Sequence, residues 1–318
     1  MDTVIKFLNV KKRFGKKIIL DNVGLEINKG EIFGIIGMSG SGKTTLLNLM
    51  IGYLRPTKGD IIFYSDRDDS FKSIFKNPME VRQTFGFGTQ VPSFYSKLTL
   101  EENLDHFGAL HRLTRRNRKA NANKLLELTG LEDARKQLAS EISEGMKKRL
   151  GIACSLIHNP KVLLLDEPTA DLDPILRRDT WKLIKSIHRM GTTVIVASHF
   201  LQELEEACDR VGMLHNHMIT SIGNPNDLRD KYSDADEILL ETKPGNYDKI
   251  ARQLSYHKRL GIGKMMVRDG RLAIYAEDAE KTLHHIIHIV EKMDEALVNI
   301  DVRKPSLSEV FESLYKKR

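Results

Sequence analysis

The run Gly37-Met38-Ser39-Gly40-Ser41-Gly42-Lys43-Thr44-Thr45 has the residue types and spacing of a phosphate-holding loop. Its glycines let successive backbone N–H groups turn towards a phosphate with no Cβ in the way. A helix opening at Lys43 adds its positive dipole end to the same point. In a loop of this pattern the lysine reaches the β- and γ-phosphates of a nucleoside triphosphate and the next hydroxyl ligates Mg2+. Those tasks fall to Lys43 and Thr44, and the expected ligand is MgATP.

A second run, Leu163-Leu164-Leu165-Asp166-Glu167, is an apolar stretch ending in two adjacent carboxylates. Ligands in α/β sheets gather at the carboxyl ends of strands, so both acids are expected to face the phosphate loop. Asp166 suits Mg2+ coordination through a water. Glu167 suits polarising the water that attacks a γ-phosphate.

These residues need elements to position them. Glu31 to Ile36 reads as a buried strand before the loop, and Lys43 to Met50 as a helix after it, with Gly52 as its stop. Val162 to Leu165 and Thr192 to Ala197 read as further strands covered on both faces. This alternation predicts an α/β domain over residues 1–225. Within it, about 98–156 carries helical spacing and reads as an inserted helical subdomain, while Asp66 to Glu80 reads as an irregular loop. The turn-rich Gly223-Asn224-Pro225-Asn226-Asp227 marks a boundary.

Residues 226–318 read as a separate accessory domain. Strands are expected over Glu237–Thr242, Lys264–Val267, Leu272–Tyr275 and Leu297–Val302, and helices over Tyr247–Leu254 and Ala279–Met293. Asp269-Gly270 signals a hairpin. The order β-α-β-β-α-β suggests a ferredoxin-like α+β unit. Ser306 to Tyr315 reads as a short amphipathic helix.

The chain has 318 residues, 41% hydrophobic and 29% charged, the composition of a globular protein of about two domains. Cys154 and Cys208 lie in apolar stretches and read as buried thiols of a reducing compartment. His284 and His288 have a spacing that can bind zinc, but no Cys or acidic partner is fixed by pattern, so no metal is assigned there. The first residues lack the pattern of a signal peptide, and no apolar run approaches the ~20 residues needed to span a bilayer. The net charge of +7 gathers at Lys11–Arg13, Arg115–Lys119 and Lys147–Arg149. Such clusters are read either as solvated surface or as contacts to anionic headgroups or nucleic acid.

The phosphate loop, Asp166-Glu167-Pro168-Thr169-Ala170-Asp171-Leu172-Asp173-Pro174 and the later Ser198-His199 together resemble an ATP-binding-cassette ATPase over residues 1 to about 225. The resemblance implies a P-loop fold and further roles. Gln90 resembles the glutamine that contacts Mg2+ and the attacking water. Asp171 resembles an aspartate that communicates across a dimer. His199 resembles the histidine that bonds the γ-phosphate, and Phe14 the aromatic ring on adenine. Ile142-Ser143-Glu144-Gly145-Met146 departs from the usual Leu-Ser-Gly-Gly-Gln. It keeps Ser143 and Gly145, and Glu144 is expected to turn away from nucleotide. These substitutions resemble the branch that powers drug, polysaccharide and lipid exporters.

The family geometry implies that one subunit's Ser143–Gly145 segment closes over another's phosphate loop. The implied partners are a second ATPase subunit and an integral membrane permease, which would hold the chain on the cytoplasmic face of the membrane. No nucleic acid is expected. Two rival readings are a soluble cassette ATPase acting on nucleic acid or ribosomes, and a nucleotide switch that has lost hydrolysis.

Overall fold

A computed structural model of the chain describes residues 3–91, 93–232, 235–257, 260–268, 270–293 and 295–304. It divides into two compact units, Met1–Asn224 and Pro225–Arg318.

In the first unit an antiparallel sheet carries β1 (Thr3–Phe14), β2 (Lys17–Asn28), β4 (Lys58–Ser65) and β5 (Ser70–Ser73), in the order β2-β1-β4-β5. The site-bearing sheet runs β10-β9-β3-β8-β7-β6. Its members are β3 (Ile32–Ile36), β6 (Phe85–Gly88), β7 (Val162–Asp166), β8 (Thr193–Ser198), β9 (Arg210–His215) and β10 (Met218–Gly223). All of these neighbours are parallel except β9 and β10. β3, β7 and β8 are buried along their whole lengths, which explains their continuous apolar runs. Leu46, Leu47, Leu49 and Met50 of α1 (Lys43–Met50) join both sheets in one core with Phe33, Phe63 and Leu164.

The helical region expected at about 98–156 consists of α3 (Leu100–Leu110), α4 (Arg115–Thr129) and α5 (Glu144–Leu156). α6 (Pro174–Arg189) and α7 (Leu201–Ala207) complete the unit. The stretch Asp66–Glu80, expected to be irregular, instead contains β5 and the start of α2 (Pro78–Thr84). Proline opens α2, where its missing N–H costs nothing. β5 is short and polar, so its pairing with β4 leaves little trace in the hydrophobic pattern.

The second unit opens with α8 (Pro225–Tyr232), so Asn224-Pro225 begins a helix as well as marking a boundary. β11 (Asp236–Lys243), α9 (Tyr247–Tyr256), β12 (Ile262–Arg268), β13 (Arg271–Ala276), α10 (Ala279–Lys292) and β14 (Ala296–Arg303) follow the expected β-α-β-β-α-β order. The sheet order is β12-β13-β11-β14, antiparallel throughout, with Ile238, Leu240, Ile274, Ile250 and Ile286 in its core. The helix expected at Ser306–Tyr315 lies outside the described residues. Among the described residues no helix is long and apolar enough to cross a membrane.

Candidate functional site

The parallel register brings the expected residues to one edge of the sheet. Ile36 ends β3 opposite Ser198 of β8, and Asp166 ends β7 opposite Ala197. Gly88 of β6 pairs with Leu165, so the segment running to Gln90 leaves from the same edge. The loop after β3 requires glycine at particular positions. A Cβ on Gly37 would collide with Ser41 Oγ, and Gly42 sits at φ 111°. That geometry leads the backbone into α1 with Gly42 as its N-cap and no side chain capping the helix. By contrast, Thr99, Thr114, Ser143 and Asp173 cap α3, α4, α5 and α6. Ser41 Oγ is also buried without a partner. Uncapped N–H groups and a spare hydroxyl suit an anionic ligand.

Lys43 is buried in this cradle. Its Nζ donates to Gly37 O at 2.8 Å and Met38 O at 3.3 Å, and lies 3.3 Å from Glu167 Oε1. Glu167 is likewise buried, and its backbone N–H donates to Ala197 O at 2.8 Å. Its Oε2 accepts from Ser198 Oγ at 3.3 Å and lies 2.8 Å from His199 Nδ1. The residue holds φ at 48°, a left-handed conformation that a non-glycine side chain adopts at a cost. Asp166 is only 3% exposed, and its Oδ1 has no hydrogen-bond partner. Burial pushes its carboxyl above the usual range, against the opposing pull of the Thr44 side chain.

The other expected residues surround this cluster at varied exposure. Met38, Ser39 and Gly40 are exposed on the loop, Thr44 is exposed at the start of α1, and Thr45 is half-buried. Phe14 sits at the tip of the β1–β2 hairpin, half exposed, with the Lys12 ammonium 4.7 Å from its ring centre. Gln90 is exposed, and its backbone carbonyl accepts from Lys148 Nζ at 2.5 Å. Ser143 caps α5 by accepting from the Met146 N–H at 3.3 Å. Gly145 is buried, and a Cβ there would lie 2.9 Å from Leu176 of α6. The Glu144 carboxylate accepts from Lys147 Nζ at 2.7 Å, an exposed pairing within the first turn. Asp171 is exposed with φ at 65°.

Ser198 and Lys148 enter the site without a motif that marks them. In the sequence Ser198 only precedes His199, yet its hydroxyl donates to Glu167 Oε2. In the sequence Lys148 is one member of the Lys147–Arg149 basic cluster. It is half-buried instead, and that burial lowers the pKa of its ammonium despite the nearby Asp171, Glu144, Glu167 and Asp166. No motif marks a lysine in the middle of a basic run as the one that turns inward.

The donor set fits magnesium held jointly with a phosphate. Asp166 offers a buried oxygen with a free lone pair, and the Thr44 hydroxyl stands beside it. Among the described residues no group of three or more His, Cys, Asp or Glu forms a cage of its own. Mg2+ keeps waters and phosphate oxygens among its ligands, so one carboxylate and one hydroxyl suffice.

A family profile described as ABC transporter matches residues 20–170. The linearmycin resistance ATP-binding protein LnrL of Bacillus subtilis (strain 168) is 30% identical over 315 residues, covering 96% of each chain. This chain belongs to the ABC transporter family. ATP hydrolysis is the general activity of ABC ATPases. The probable multidrug ABC transporter ATP-binding protein YbhF of Escherichia coli (strain K12) is 36% identical over 228 residues, 72% of this chain. That match spans 38% of YbhF. Among solved structures, a dimeric post-hydrolysis state of the ATP-binding cassette MJ0796 bound to ADP and Pi has a TM-score of 0.61 and 27% identity. It covers 69% of this chain and 98% of that one.

Proposed function

We propose that the chain is the ATP-hydrolysing subunit of a transporter, that it drives a separate membrane-spanning subunit, and that the direction is export. The observation that carries the reading is the buried pair Lys43 and Glu167, with the exposed His199 against Glu167 Oε2, beside the unpartnered Asp166 oxygen.

The Lys43 ammonium serves as the counter-charge of Glu167. The β- and γ-phosphates of ATP compete for that ammonium with more negative charge than one carboxylate carries. Their arrival draws Lys43 from Glu167 Oε1 and leaves this oxygen free to take a proton from the attacking water. His199 holds Oε2, so the carboxylate keeps its orientation while its other oxygen is exchanged, and the imidazole bonds the γ-phosphate. Asp166 and Thr44 hold the magnesium of MgATP, which when bound neutralises phosphate charge. Gln90 contacts the same metal and water. The loop amides from Gly37 to Thr45 wrap the phosphates, and Phe14 stacks on adenine.

Ser143 and Gly145 act on the nucleotide of a second ATPase subunit, and Asp171 faces that subunit. The dimeric neighbour with ADP and Pi supports such an assembly. The relatives carry the names of a resistance protein and a multidrug transporter subunit. Those names favour export, and a transport role over the nucleic-acid alternative. The working place is then the cytoplasmic face of the membrane, reached through the permease.

The test is phosphate release by the purified full chain, alone and with its membrane subunit. Turnover should require Mg2+, stop on chelation and resume on its return. Absence of Mg2+-dependent phosphate release in both preparations would sink the reading.

A further inference from the structure

Thr169 Oγ1 and Trp181 Nε1 both donate to Glu203 Oε2, at 2.6 and 2.8 Å. Thr169 is fully buried and follows the catalytic pair in sequence, Trp181 lies on α6 and Glu203 on α7. Arg177, one helical turn before Trp181, reaches in three directions. Its Nε donates to Leu172 O at 2.8 Å, its Nη1 lies 3.9 Å from Glu203 Oε1, and its guanidinium carbon sits 4.0 Å from the centre of the Phe200 ring. Phe200 in turn packs on His199, with ring centres 4.1 Å apart.

We propose that Arg177 is a positioning residue that clamps the Asp171–Asp173 turn to the His199–Phe200 segment, so that both move as one unit. The inference rests on the site reading above and extends it to residues that touch no substrate. The guanidinium is suited to the task because its planar fork can donate along an edge while a face covers an aromatic ring. One arm fixes the carbonyl of Leu172, beside the strained Asp171 that is assigned to the second subunit. The other fixes the ring against which His199, assigned to the γ-phosphate, is packed. Disturbing either arm therefore alters recognition of the γ-phosphate and leaves the grip on the first two phosphates in place.

The chain has a single tryptophan, so emission from Trp181 reports on the network. Affinities for ATP and for ADP, both with Mg2+, are measured on the full chain together with Trp181 emission in each state. In Arg177→Gln the ratio of ATP to ADP affinity should fall about fivefold, the scale of one ordinary hydrogen bond. The emission difference between ATP and ADP should vanish. Arg177→Lys keeps the charge without the fork and should resemble Arg177→Gln. Should Arg177→Gln fail to fold, Phe200→Leu removes one arm alone and is read in the same way. Affinities for ATP and ADP that fall together would show plain support of the fold and overturn the proposal, as would full recovery in Arg177→Lys or wild-type emission identical in the two nucleotides. Binding is measured without turnover. A chain that binds ATP but never hydrolyses it would defeat the reading above, while the ATP-to-ADP ratio would still decide the role of Arg177.

Discussion

Glu237 and Glu295 in the second unit are as buried as Asp166 and Glu167 in the first, but their surroundings differ. Glu237 accepts from Tyr275 Oη at 2.8 Å and from Arg303 Nε at 2.7 Å, one donor on each oxygen. Glu295 accepts from the Gly245 and Asn246 backbone N–H groups and from the Asn246 amide. These acids tie turns and strands together. In the first unit, Asp166 keeps an unpartnered oxygen, and Glu167 sits on strained backbone paired to a lysine that phosphates can claim. A saturated buried acid stabilises a fold. A buried acid with spare capacity costs stability, and that cost is borne where a ligand will use the capacity.

Lys43→Ala should give the largest effect. It removes the ammonium from both Glu167 and the phosphates, so ATP affinity by calorimetry should drop about a hundredfold or more. Affinity within about threefold of wild type would break the contrast between the units. In the second unit Glu237→Ala should cost about 1–3 kcal/mol in denaturant unfolding while ATP affinity stays unchanged, because its loss takes an acceptor from Tyr275 and Arg303 rather than from a ligand.

Titration sharpens the same contrast. Burial alone would raise the Glu295 carboxyl, but its donors hold it at about 2 against a usual 4.5. A depressed carboxyl contributes stability above its unfolded pKa and loses it as pH falls from about 4.5 to about 2. Glu295→Gln should flatten that slope. In the first unit the His158 ring stacks on His111, with centres 3.7 Å apart, and burial pushes its pKa down from 6.5 to about 4. There the unfolded chain takes up a proton that the folded chain refuses, so stability falls between about pH 6.5 and 4. His158→Phe should reduce that loss, leaving the share of His111, whose burial also lowers its pKa, and should not touch the second unit's slope. Smallest of all, Glu144→Ala breaks an exposed pair with Lys147 and should shift unfolding by less than about 0.5 kcal/mol.

The strands and helix flanking the phosphate loop were legible because burial on both faces forces continuous apolar runs such as Val162–Leu165. The second unit was legible from alternation, with Ile238 and Leu240 inward, and from the Asp269-Gly270 hairpin signal. β5 and α8 were not, since one is a polar edge strand and the other opens with residues that also build turns. Site residues carried by motifs were readable one by one. The pairing of Lys43 with Glu167 and the reach of Arg177 were not, because both depend on which side chains the sheet register and helix packing bring together.

Glu167→Gln tests the central claim most directly. The substitution keeps the shape and removes the carboxylate proposed as the base, the one paired with Lys43. Phosphate release at saturating MgATP should fall by about a hundredfold or more, the scale of a lost general base, while ATP affinity is kept. Turnover within about threefold of wild type would contradict the account.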